Sequence, residues 1–124
     1  MPEQSELPVR VLINGKQVES ETRVTSIGPY VLVLDTVIPE SGMRLHSTYL
    51  GHKRTTTQAT HLKLAKGGIR GTVAVEHEHD AIPVVYARRR CLYDHLQHLQ
   101  DLLNDADIDA SIPIDERSIA AVEA

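Results

Sequence analysis

Seven histidines stand in this chain of 124 residues, and four of them fall in pairs at spacings that metal chemistry uses. His77 and His79 flank Glu78, and on a strand residues two apart share a face. His95 and His98 lie three apart, which on a helix also puts both imidazoles on one side. Four such nitrogens match the ligand set of a Zn²⁺ or Ni²⁺ ion, and the corresponding function would be a small metal-dependent enzyme. The plainer reading is preferred: residues 76–80 form a solvated strand end, and the helix histidines are surface or interface residues.

Two further groups carry potential chemistry. Arg88, Arg89 and Arg90 are the only dense basic cluster, suited to phosphate or to an acidic partner. The simpler expectation is a solvated first helical turn with salt bridges to Asp94, although cations there oppose the helix dipole. Cys91 lies beside these arginines, which would lower its pKa and favour a thiolate. With no evident base and orienter, it reads instead as a small buried hydrophobe. Gly67, Gly68 and Gly71 lack the GxGxxG spacing and a following helix, so they indicate a hairpin turn rather than a phosphate loop. No Ser-His-Asp or paired-carboxylate set stands out, because 17 scattered acids make chance pairs common.

The elements that must position these groups are punctuated by turns. Residues 1–6 are polar and expected to fray or be disordered. Pro8–Ile13 reads as a strand ending at Asn14-Gly15, the strongest two-residue hairpin signal, with a return strand from Lys16 to about Ser26. Gly28-Pro29 is a turn, and Tyr30–Val37 a central strand that is apolar on both faces. After the Pro39–Gly42 corner, Met43–Leu50 alternates, with Met43, Leu45 and Tyr49 on one face and Arg44, His46 and Thr48 on the other. Turns at Gly51–Lys53 and Gly67-Gly68 bound a Thr-rich strand at Thr55–Lys66, and Ile69–His77 follows in period two. Ile82–Tyr86 is a short apolar piece.

From about Arg88 the period becomes helical. Leu92, Leu96, Leu99 and Leu103 repeat at 4-3-4 spacing, an a/d stripe over two heptads. The helix should end around Asp105–Asp109, where acids meet the negative end of the dipole. Ile112-Pro113-Ile114 is extended, and Asp115 can cap a short final helix through Val122.

Composition bounds the class. At 41% hydrophobic and 24% charged, with neither Trp nor Phe, the chain suits one globular domain with an aliphatic core. A net charge of −4 argues against nucleic acid as the main partner. No apolar run approaches the roughly 20 residues of a membrane span, so no membrane insertion is expected. No signal peptide is visible at Met1–Gln4, and the single Cys91 suits a reducing compartment, so a cytoplasmic location is expected.

PVRV at 8–11, ETRVTSIGPYVLVL at 21–34, PESGMRL at 39–45 and GTVAVEHE at 71–78 together resemble the PilZ domain. That family is a six-stranded bacterial barrel known for binding cyclic di-GMP. The resemblance implies a mainly β fold: a barrel of about six or seven antiparallel strands over 7–87, then a C-terminal helix and tail at 88–124. The family's RxxxR arm is absent, since Arg10 is the only arginine before residue 23. Aligned on Gly28, the (D/N)xSxxG motif has Arg23 at the acid position and Thr25 at the serine position. The resemblance therefore implies a degenerate, non-catalytic regulatory module that binds a protein partner and takes no cofactor. The alternative is a cyclic di-GMP receptor built from Arg10, Arg23, Thr25 and Gly28, with Arg88, Arg89 and Arg90 closing the site. The narrow stripe of Leu92, Leu96, Leu99 and Leu103 suits association, either against the barrel or between chains as a homodimer.

Overall fold

The computed structural model describes residues 3–27, 31–50, 55–65, 68–79 and 88–123. The elements run β1 (Glu3–Leu7), β2 (Val11–Ile13), β3 (Lys16–Val18), β4 (Glu21–Ile27), β5 (Val31–Ile38), β6 (Met43–Leu50), β7 (Thr55–Ala65) and β8 (Gly68–His79). They are followed by α1 (Arg88–Asp105), β9 (Ala110–Ser111) and α2 (Glu116–Glu123). The fold is mainly β with a C-terminal helix, as expected. A six-stranded sheet takes the order β1-β4-β5-β6-β7-β8, and a three-stranded one takes β3-β2-β9. Every ladder in both sheets is antiparallel.

The expected barrel is not formed: among the described residues no ladder joins β1 to β8, and the large sheet stays open. The expected frayed N-terminus is also corrected. Residues 3–7 pair along β4 from Glu3↔Ser26 to Leu7↔Thr22, and Leu7 enters the core. The single return strand from Lys16 divides in two. Asn14 and Gly15 take positive φ values of 52° and 78°, closing the β2–β3 hairpin at the Ile13↔Lys16 pair. Past Val18 the chain crosses to the large sheet as β4. The tail does not stand apart either, because β9 pairs with β2, and Ile112, Ile119 and Val122 join the same core cluster as the strands. The expected turns at Gly28-Pro29 and Gly51–Lys53, and the apolar piece at Ile82–Tyr86, lie outside the described residues.

Period-two alternation aims one face of the sheet at α1. Leu32, Leu34, Thr36 and Ile38 of β5 are buried, as are Met43, Leu45, Ser47 and Tyr49 of β6. The β5–β6 hairpin closes through Gly42, whose φ of 67° and N–H bond to the Pro39 carbonyl (3.1 Å) make the corner. Helix α1 packs against β5, β6, β9 and α2, and its Leu92, Leu96, Leu99 and Leu103 share one buried cluster with residues of these elements. Each buried leucine contributes roughly 1.5–3 kcal/mol. All four leucines of the stripe are thus buried within the chain, in the same cluster as the strands.

Both helix ends are built locally. At the C-terminus of α1, the Ile108 N–H reaches the Leu103 carbonyl (2.9 Å) and the Asp107 N–H that of Asn104 (3.0 Å). Asp107 adopts φ 61°, the left-handed residue such a Schellman ending requires. Asp115 caps α2 as expected, its Oδ1 accepting from the Arg117 N–H at 2.9 Å. The Arg117 guanidinium beside it holds the Asp115 carboxyl below its ordinary range.

Candidate functional site

The polar groups with most chemical capacity meet at the α1–sheet seam. His95 projects from the leucine face of α1 and is fully buried. Its Nε2 lies 2.8 Å from Thr36 Oγ1 and its Nδ1 lies 2.7 Å from Ser47 Oγ. Thr36 Oγ1 in turn lies 2.9 Å from Thr22 Oγ1, its ladder partner on β4. A neutral imidazole offers one donor and one acceptor, and rotatable hydroxyls can complement either tautomer. Burial, reinforced by the nearby His98 and His46, pushes the His95 pKa down to about 3. At neutral pH the ring is thus an uncharged link in a chain of hydroxyls, all at most 1% exposed.

A second pair closes the seam. The Tyr49 hydroxyl donates to Asp94 Oδ2 at 2.7 Å, and burial together with the Asp94 charge raises its pKa. Cys91 sits beside them, completely buried. Burial first, and then Asp94, push its thiol up to about 12, against the smaller opposite pull of Arg88. The expected lowering by the arginine run is overturned, and Cys91 is a protonated hydrophobe, its plainer reading.

The four histidines do not act as two equivalent pairs. His95 faces the sheet, whereas the His98 side chain is one-third exposed, with its Nε2 3.9 Å from Asp94 Oδ1. Neither nitrogen of His95 can ligate an ion without breaking a hydroxyl hydrogen bond. His77 and His79 occupy β8 opposite Thr57 and Thr55, and their side chains lie outside the described residues.

The arginine set expected to grip a ligand is also divided. Arg23 and Thr25 alternate with the buried Thr22 and Val24, and so lie on the sheet face away from α1. Arg23 pairs with Glu21 and donates to Gln4 Oε1 at 3.4 Å. From the helix side, Arg88 donates to Ser26 Oγ at 3.0 Å, and Arg89 binds Glu123 at 2.9 Å. Arg90 and Arg10 are exposed, and Gly28 lies outside the described residues.

The flank of α1 beside the leucine stripe carries an open feature that sequence reasoning missed. A groove of about 310 Å³ runs between the helix and the segment after β9, lined by Tyr93, Leu96, Gln97, Gln100, Ile112 and Ile114. Pro113 keeps the segment extended, and the β9–β2 ladder anchors it next to the helix. Leu96 and Ile112 make a buried apolar floor, while Tyr93 and Ile114 stay 39% and 50% exposed on the rim. The amides of Gln97 and Gln100 add donors and acceptors, and Gln97 Nε2 already donates to Asp101 Oδ1 at 2.9 Å. Such a surface can hold an apolar side chain and hydrogen-bond a backbone.

Comparison of the chain with protein-family models, with curated proteins and with solved structures gives no match. No described helix is long and apolar enough to cross a membrane.

Proposed function

We propose that the chain is a non-catalytic regulatory binding module, similar to a degenerate PilZ domain, that acts through protein–protein contact at the α1 groove. The observation that carries this reading is the division of α1. At the seam His95, Tyr49 and Cys91 are buried with no exposed surface, while the accessible groove offers apolar contact, the Tyr93 ring and amides. A photo-crosslinking side chain at position 97, in the full chain expressed in cells, tests it. One discrete crosslinked species is expected, and Ile114→Asp should abolish it. No crosslink above background would refute the reading.

A second reading, a cyclic di-GMP receptor, is supported by Arg88, which tethers the arginine run to the end of β4 through Ser26. Calorimetric titration with that nucleotide decides it: micromolar binding lost in Arg88→Ala would favour the receptor over the adaptor.

A further inference from the structure

The outer face of α1 has an order of charge that its own helix does not favour. The first turn holds Arg88, Arg89 and Arg90 with no acid, and the last turn holds Asp105 with no base. Both ends oppose the macrodipole, which stabilises anions at the N-terminus and cations at the C-terminus. Projected at 100° per residue, Arg90, Tyr93, Gln97 and Asp101 fall on one exposed stripe, with Gln100 at the groove edge. Arg90 and Asp101 stand about 16 Å apart along the axis at 1.5 Å per residue. The stripe therefore runs from cation, through an apolar and amide middle, to anion.

We infer that this face is a self-recognition surface on which a second copy of the chain docks with its α1 antiparallel to the first. The inference rests on the binding-module reading and names its partner. A two-fold axis crossing the stripe midway between Arg90 and Asp101, at the level of residues 95 and 96, would set Arg90 of each copy against Asp101 of the other. It would also bring Tyr93 of each copy towards the groove region of the other. Such an interface is isologous, the same patch meeting itself. A uniformly acidic partner would meet like charge at the Asp101 end, and a uniformly basic one at the Arg90 end. A second copy, reversed, meets opposite charge at both. It also places each adverse helix terminus beside charge of the sign its dipole prefers. The face of one helix and one extended segment falls short of the roughly 800 Å² per partner of a standard interface, so the dimer is weak and concentration-dependent.

Sedimentation velocity on the full chain, from about 1 to 300 µM at low salt, should show a reversible monomer–dimer equilibrium that weakens as salt is raised. Arg90→Asp and Asp101→Arg should each raise the dimer dissociation constant at least about tenfold, because two-fold symmetry turns each change into two like-charge contacts. The double variant should restore association. Each single change favours the helix dipole, so neither should lower the melting temperature at concentrations where the wild type is monomeric. This separates loss of the interface from loss of the fold. A wild-type chain that stays monomeric throughout the range overturns the proposal, as does a double variant no tighter than the single ones. The crosslink at position 97 distinguishes the two failures. A species of twice the chain's mass supports self-docking, a different protein keeps the binding module and overturns the dimer, and no crosslink overturns both.

Discussion

The two faces of α1 are built from the same 18-residue segment, yet they do opposite things. The inner face holds Leu92, His95, Leu96, Leu99 and Leu103 at 5% exposure or less, with both His95 nitrogens occupied by strand hydroxyls. The outer face leaves Tyr93 and Gln97 in solvent above an apolar floor. A histidine or cysteine in a chain is thus no pointer to chemistry until its access is known. Here His95, Tyr49 and Cys91 are sealed in the seam, and the groove beside it is lined by Tyr93, Leu96, Gln97, Gln100, Ile112 and Ile114.

The contrast can be broken most forcefully at Leu99. Leu99→Ala should cost about 2–5 kcal/mol, read as a lowered midpoint in urea unfolding, because a fully buried leucine leaves a cavity. Removing the polar link should come next. His95→Ala takes one hydrogen-bond partner from each of the Thr36 and Ser47 hydroxyls and opens a void, for a loss of about 2–4 kcal/mol in the same measurement.

These expectations show where sequence reasoning reached and where it stopped. The β2–β3 hairpin, the alternation of β6, the leucine face of α1 and the Asp115 cap were legible because each is encoded within a few adjacent residues. Openness of the large sheet was not, since it depends on whether β1 and β8 meet across most of the chain. Strand β1 was hidden by its composition: among the described residues it pairs with β4 alone, and from Gln4 to Leu7 only Leu7 is buried in the core. His95 was noticed for the wrong partners. Thr36 and Ser47 lie 59 and 48 residues away in sequence, and no local spacing joins them. The available signal was a hydroxyl on the core face of each strand, which in an apolar row requires a polar partner. The groove needed the tail to return beside α1, which a separate C-terminal segment did not anticipate.

Acid should sharpen the contrast by a smaller amount. In the unfolded chain a histidine binds a proton below about pH 6.5. In the folded protein His95 does so only near 3. Between those values the unfolded state holds the extra proton, so stability falls as pH falls. The His95 contribution is at most about 1.4 kcal/mol per pH unit. It should be missing from His95→Gln when urea midpoints of the two proteins are compared between about pH 7 and pH 5. Smallest of all, Gln97→Ala on the outer face should change stability by no more than about 0.5 kcal/mol. A larger loss would mean that this face also supports the fold.

The state of the His95 ring tests the sealed seam most directly. Imidazole ¹⁵N shifts of the folded protein can be followed by NMR from about pH 7 to pH 4.5, with His95 assigned by the signal lost in His95→Gln. The expected result is a ring that keeps the two unequal nitrogens of a neutral tautomer throughout, in a protein that remains folded. A His95 that converts to imidazolium with a midpoint near 6.5, as in water, would place it in contact with solvent and contradict the account.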